Sequence, residues 1–261
     1  MNREENMLER GHAHPISVLI NRIAEIFTTL GFDIVDGPEL EREWYNFDAL
    51  NVPKDHPSRD MQDTFFLKLK EDEKLGKSVL RTHTSPMQVR YMLDFAEKVK
   101  SGEKKFPLAI CVPGKVFRNE ATDATHEAQF FQAEGLLVGE KISLANLKGV
   151  LEKFLSELFE KKIDVTLRNS FFPFVEPGVE VSMKCFKCDG EGCNICKRTG
   201  WIEIMGAGMV HPKVLENCGI DSKKYSGFAF GIGVERLIML KYGVNDIRLL
   251  HNGDLRLVNQ F

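Results

Sequence analysis

No stretch of this 261-residue chain approaches the ~20 consecutive apolar residues that a membrane span needs. The N-terminus, MNREENMLERGHAHP, lacks the apolar core of a secretory signal, so the cytoplasm is the expected compartment. Neither sign of charge dominates: 35 Lys and Arg stand against 38 Asp and Glu, a net −3. That balance excludes a protein held to nucleic acid by bulk electrostatics alone and leaves only a local basic patch open. Repeats, low-complexity tracts and linker-like composition are missing as well. With 43% hydrophobic and 28% charged residues, fibrous, collagen-like and disordered classes fall away. One large domain with a sizeable core is the simplest account.

Two familiar phosphate motifs are also absent. Gly76-Lys77-Ser78 imitates the end of a P-loop, but the glycine required five residues earlier is Glu71. Gly231-x-Gly233 imitates a dinucleotide fingerprint whose third glycine is here Arg236. What Gly231 and Gly233 do offer is close backbone approach at a strand-to-helix turn.

Six cysteines are present, and four of them, Cys185, Cys188, Cys193 and Cys196, fall within twelve residues at C-x2-C-x4-C-x2-C spacing. In a chain with no export signal this reads as a metal site before a disulfide framework, and two CxxC steps suit tetrahedral Zn²⁺. A reduced cysteine-rich hairpin is the alternative. Cys111 and Cys218 stand alone and read as small buried apolar residues.

Apolar residues at three- and four-residue steps predict helices over Ile16–Leu30, after Pro15 and before Gly31, from Ser85-Pro86 towards Lys100, and over Leu144–Phe159. FDIVDGPELE reads as a short strand broken at Gly37 and Pro38, VPKDHPSRD as a loop, and TFFLKL and SVLRTHT as strands around the acidic loop EDEKLGK. PLAICVPGKVFRNE and EAQFFQAEGLLVG predict a long hairpin closed by ATDATH. IDVTLRNSFFPFVEPGVEVSM is strand-like with a proline interruption, GWIEIMGAGM a further strand, and FAFGIGVERLIMLKYG a strand, glycine turn and helix. Hairpins outnumber β-α-β units, so the fold class is α+β with a mostly antiparallel sheet flanked by helices.

Period-two spacing puts Arg118 with Glu120, Gln132 with Glu134, and Phe172 with Phe174 and Glu176 on common strand faces. Phe117, Ala133, Phe171 and Val175 alternate with them. A solvated face would carry Lys, Thr and Ser. A guanidinium, carboxylates, an amide and two phenyl rings suit a small aromatic zwitterion and a phosphate instead.

Four separated blocks resemble the α subunits of bacterial phenylalanyl-tRNA synthetases, which are class II aminoacyl-tRNA synthetases. They are GFDIVDGPELEREWYNFDALNVPKDHPSRDMQDTFF, RTHTSPMQVR, VFRNEATDATHEAQFFQAEGLLV and FFPFVEPGVEV…GMVHP…YSGFAFGIGVERL. Pro38, Arg118-x-Glu120 and Gly231-x-Gly233-x-Glu235-Arg236 stand where the three class motifs fall. The resemblance covers nearly the whole chain and implies one catalytic domain over residues 1–261, in which the Cys-rich stretch at 183–201, zinc-binding by its spacing, is an insertion where some relatives have only a short cysteine-free hairpin.

By the same resemblance, Arg118 meets the ATP α-phosphate and the substrate carboxylate, and Arg236 clamps the far end of the triphosphate. Glu120, His126 and Gly233 belong to the nucleotide site. His83, Ser85, Gln132 and Glu134 hold the amino and carboxylate groups of phenylalanine, Phe172 and Phe174 meet its ring edge-on, and Ala229 and Gly231 floor the ring pocket. Glu176 matches a Mg²⁺ ligand. The resemblance implies phenylalanyl-adenylate formation from ATP and transfer to the terminal adenosine of tRNA(Phe), within an (αβ)₂ assembly whose β subunit also edits tyrosine. The segment around Pro38 would lie at the interface.

Relatives begin with a coiled-coil arm that reaches tRNA, whereas this chain opens near the catalytic region, either as a shortened piece or as a natural arm-less form. Adenylate formation is expected to survive that loss better than tRNA charging. Three other readings are a regulatory paralogue, a carboxylate-activating enzyme with another acceptor, and a zinc-dependent nucleic-acid module. Loss of the phosphate-clamping arginines would mark the first, but Arg118, Glu120 and Arg236 are all present. His12, His14, His56, His211 and His251 have no ligand spacing, Lys98–Lys105 reads as a solvated loop, and Gln62 departs from the aromatic residue some relatives carry.

Overall fold

The computed structural model describes residues 11–55 and 64–261, so His56 and Gln62 lie outside the described residues. Helix α1 (Pro15–Thr29) begins with proline in its first turn and a His14 cap whose Nδ1 accepts from the Ile16 N–H. The two-residue β1 (Asp33–Ile34) and β2 (Leu40–Arg42) flank the Gly37-Pro38 turn. A helical turn (Glu43–Asn46) and a 3₁₀ turn (Asp48–Leu50) follow. β3 (Phe66–Asp72) and β4 (Gly76–Leu80) run further into the acidic segment than its composition predicts, leaving only a tight turn between them. Gly76-Lys77-Ser78 therefore opens a strand, as its rejection as a P-loop requires.

α2 (Ser85–Lys100) leads to β5 (Leu108–Phe117) and β6 (Gln129–Gly139), the predicted hairpin. α3 (Leu144–Phe159), β7 (Val165–Phe172), β8 (Val175–Lys184) and β9 (Trp201–Val210) come next, and then α4 (Pro212–Asn217), β10 (Ser226–Gly233) and α5 (Val234–Tyr242). The main sheet has the order β1-β5-β6-β10-β9-β8-β7, and only the β1–β5 pair is parallel. β2, β4 and β3 form a second, three-stranded sheet. The architecture is α+β, as the hairpin pattern predicts.

Strand parity sorts the core. Phe228, Phe230 and Ile232 of β10 face α1, α3 and α5 in one apolar cluster, where Phe27 stacks on Phe230 with ring centroids 5.5 Å apart. Ile110, Val112, Leu136 and Val138 face the other way, against Val89, Met92 and Phe95 of α2. α2 covers only part of that second face, and the uncovered part holds the site. The Lys98–Lys105 stretch begins inside α2, and Lys104 sits over the Tyr91 and Phe95 rings rather than free in solvent. No helix among the described residues is long and apolar enough to cross a membrane.

Candidate active site

Two cavities open on the uncovered face and share Arg118. The first, of about 270 Å³, is built on β6 and β10. Register places Glu134 beside Gly231 and Gln132 beside Gly233 on β10, and Gly231 in turn beside Gly206 on β9. These glycines keep the sheet bare where a ligand would lie. A Cβ on Gly206 would come within 2.9 Å of the Phe172 ring, so that ring rests on the naked strand. The polar lining is His83, Ser85, Gln88, Arg118, Gln132 and Glu134. The apolar lining includes Phe172, Phe174 and Ala229, with Leu50, Met92 and Val214. The Phe172 and Phe174 rings lie 6.2 Å apart and nearly parallel.

Glu134 is 5% exposed, and its carboxylate meets the start of α2. It accepts from the Thr84 N–H at 3.1 Å, Ser85 Oγ at 2.5 Å and Gln88 Nε2 at 2.8 Å. Those donors favour the charged form, but burial outweighs them and pushes its pKa up to about 7. His83 is held down to about 3 by burial and by Arg118, so its ring is neutral near pH 7. Arg118 is also lowered by burial, against the pull of Glu120 and Glu134. His83 Nδ1, Arg118 Nε and Gln132 Oε1 are buried with no partner in the protein, and all three residues line the first cavity. Unpaired buried groups converging on one space are what a polar ligand would satisfy.

The second cavity, of about 150 Å³, is lined by Arg118, Glu120, His126, Gly233 and Arg236, with Phe130 among its apolar members. Arg236 projects from the first turn of α5, just after the Gly233 cap. His126 Nδ1 lies 3.0 Å from the Asp123 carboxylate, which the Thr125 N–H, foremost, and His126 hold well below the usual carboxylate range.

Every residue expected to contact phenylalanine lines the first cavity, and every residue expected to contact nucleotide lines the second. Three strand-face expectations need correction, the first because β5 ends at Phe117 and leaves Arg118 and Glu120 beyond the strand. Phe172, Phe174 and Glu176 do not share one strand: β7 ends at Phe172, β8 starts at Val175, and Phe174 lies in the turn. Val175, expected on the reverse face, consequently lines the first cavity, and Glu176 is exposed and lines neither.

The roles of several residues escaped the sequence reading. Gln88 lies one helical turn from Ser85, a spacing that could have flagged it. Glu235, 1% exposed, accepts the Phe131 N–H with both carboxylate oxygens and so fixes α5 to β6. His251, unassigned from sequence, lies 3.3 Å from the same carboxylate. Arg81, 2% exposed, donates to the carbonyls of Lys115 and Gly37, tying the Gly37-Pro38 turn to β5. His211 accepts from the Lys213 N–H as the cap of α4.

Away from the cavities, the four clustered thiols lie within 4.8 Å of one another. Cys185–Cys193, Cys188–Cys196 and Cys193–Cys196 are each separated by 3.8 Å, far beyond a disulfide bond. A tetrahedral ion with Zn–S near ~2.3 Å sets its sulfurs ~3.8 Å apart, so the donor set fits. The Cys193 N–H foremost draws the Cys196 thiol down to about 6, and burial pushes Cys185 up to about 11. Cys111 and Cys218 are buried, and burial pushes both up to about 12, as inert core thiols should be.

Comparison with known proteins agrees with this geometry. A family model described as tRNA synthetases class II core domain (F) matches residues 1–261. A phenylalanine–tRNA ligase alpha subunit from Exiguobacterium sp. is 54% identical over 251 residues, 96% of this chain and 69% of that protein. Proteins of the same name from Streptococcus agalactiae and Exiguobacterium sibiricum are 53% and 55% identical, with the same shares covered. Matched by the family model over its whole length and similar throughout to phenylalanine–tRNA ligase alpha subunits, the chain belongs to the class II aminoacyl-tRNA synthetases of the phenylalanine type.

Proposed function

We propose that this chain is the catalytic α subunit of an ATP-dependent phenylalanine–tRNA ligase, acting as one domain over residues 1–261 with the Cys-rich insertion at 183–201. The observation that carries this reading is the pair of cavities joined at Arg118, one fit for an aromatic amino acid and one for a nucleotide. Phenylalanine would lie with its ring against Phe172, Phe174 and Ala229. Its ammonium would meet Glu134 and Gln132, with His83 and Ser85 completing the polar shell. ATP would lie along Glu120, His126, Gly233 and Arg236.

At the junction, a phenylalanine carboxylate oxygen attacks the α-phosphorus, that O–P bond forms, and the bond to pyrophosphate breaks. Negative charge builds where Arg118 is already fixed, so it is stabilised without reorganisation. Mg²⁺ bound with ATP would neutralise phosphate charge, and Glu176, exposed at the start of β8 and outside both cavities, would hold a separate Mg²⁺ shared with the β subunit. No side chain need act as a nucleophile, since positioning and charge stabilisation suffice. The 2′-hydroxyl oxygen of the terminal adenosine of tRNA(Phe) then attacks the adenylate carbonyl carbon, the ester bond forms, and the acyl–phosphate bond breaks to release AMP, which carries away the negative charge while the hydroxyl proton is lost to solvent. The Cys185–Cys196 cluster would hold a structural Zn²⁺.

A β subunit in an (αβ)₂ assembly and a cytoplasmic location complete the reading. Retention of both Arg118 and Arg236 on the second cavity stands against a regulatory paralogue. Phenylalanine-dependent ATP–pyrophosphate exchange tests the proposal, on the chain with a β subunit. Exchange abolished by Arg118→Ala supports it, and no exchange with the wild-type chain overturns it.

A further inference from the structure

One short segment contributes Leu50 to the lining of the first cavity, and hydrogen bonds pin it at both ends. At its start, the Asn46 side chain donates to Thr82 Oγ1 at 3.0 Å and accepts the Thr82 N–H at 3.2 Å. His83 hydrogen-bonds the Asn46 backbone. Asn217 Nδ2 holds the Ala49 carbonyl at 3.1 Å, and Leu50, 3% exposed, enters the cavity lining. The segment ends at Asn51, whose backbone is left-handed at φ 62° and ψ 29°.

Asn51 Nδ2 donates to the Pro173 carbonyl at 2.7 Å, across 122 residues of chain. Pro173 lies between the two rings expected to grip the substrate, in the two-residue turn that joins β7 to β8. The ladder is interrupted between Ser170 and Phe172, and the pairing of Phe172 with Val175 closes the turn but leaves Pro173 and Phe174 themselves outside the ladder. The His211 N–H also holds the Phe174 carbonyl, at 3.0 Å.

We infer that Asn51 is a positioning residue for recognition of the substrate ring: its amide holds the Phe172–Phe174 turn over the cavity while its left-handed backbone aims Leu50 into the same space. The inference rests on the phenylalanine-activating reading and names a determinant of its specificity. The residue type follows from two demands. Only Gly, Asn and Asp adopt the left-handed region readily. Of these, only Asn carries a side-chain donor, because an ionised Asp can only accept.

Asn51→Gly and Asn51→Asp separate the two demands, since both tolerate the backbone and neither can donate. The measurement is pyrophosphate exchange by the complex with β, with phenylalanine and with tyrosine, alongside calorimetric titration of phenylalanine. In Asn51→Gly the KM and Kd for phenylalanine should rise about fivefold, the size expected for one buried hydrogen bond, with kcat and the KM for ATP little changed. Asn51→Asp should be worse, because it sets a carboxylate against the Pro173 carbonyl. The preference for phenylalanine over tyrosine should narrow in both, because a freed turn no longer fixes the room beyond the ring. An unmoved KM and an unmoved preference in Asn51→Gly would overturn the inference. So would equal rises in KM for phenylalanine and for ATP, the mark of a merely structural residue. A wild-type complex without phenylalanine-dependent exchange would instead remove the parent reading, and the inference with it.

Discussion

At the scale of single residues, Glu134 is where pH acts. Its carboxyl sits at about 7 when folded, against 4.5 for an ordinary glutamate. Below 4.5 both folded and unfolded chains hold the proton. Between there and 7 only the folded chain does, so this group's stabilisation is lost as pH rises through 7, on the order of 3 kcal/mol. Binding runs the other way, because an ammonium needs the carboxylate. Phenylalanine affinity of the complex should therefore strengthen about tenfold from pH 6 to pH 8, following ionisation of a group near 7. Glu134→Gln should flatten that profile, which calorimetry across the range would read. His83, held down to about 3, stays neutral throughout and contributes no slope there. The presence of Glu134 on the site face was legible as strand alternation. Its altered acidity was not, because that depends on Thr84, Ser85 and Gln88 arriving from another element.

At the scale of elements, the β8–β9 hairpin carries two unrelated features at its two ends. Val175 pairs with Val210 beside the cavity, and Lys184 pairs with Trp201 beside the cysteine cluster. Nine residue steps of strand separate them, about 30 Å at the usual rise. Removing metal should then disturb one end and spare the other. Cys188→Ser is expected to lose bound zinc by elemental analysis and to lower the Tm, with phenylalanine-dependent exchange retained at the temperature of assay. Exchange lost in step with zinc, while the fold persists, would contradict a purely structural cluster. The β7–β8 turn marks a limit of pattern reading. Alternation through Phe172, Phe174 and Glu176 looks like one strand, yet Pro173 turns the chain there and separates Glu176 from the rings.

At the scale of the whole molecule, the three-stranded sheet is the part that a partner should cover. It exposes Leu40 at 46%, Phe66 at 48% and Leu69 at 56%, next to the Gly37-Pro38 turn that Arg81 fastens to β5. By register Leu40 and Phe66 stand on opposite faces of this small sheet, and exposed apolar side chains of that number are what a partner would cover. Without its partner the chain should self-associate in sedimentation velocity as concentration rises, and Phe66→Ser with Leu69→Ser should return it to monomer. A wild-type chain monomeric at every concentration would show that this sheet needs no cover. Through Arg81 the same surface touches the strand leading to Arg118, so docking there and order at the cavity junction share a physical link.

The sequence by itself determined which residues gather at the two cavities. Period-two spacing set Gln132 and Glu134 on one usable face, helical spacing located α1, α2 and α3, and CxxC spacing located the thiol cluster, because each of these is a local rule of backbone geometry. The tertiary structure alone decided how those residues are held. Asn51 on Pro173, Arg81 on Gly37, Glu235 on the Phe131 N–H and Gln88 on Glu134 join segments far apart in the chain. The burial that sets Glu134 at about 7 and His83 at about 3 comes from the same packing. Local periodicity says which side of an element a residue takes, but desolvation and hydrogen-bond partners depend on what other elements bring to that side.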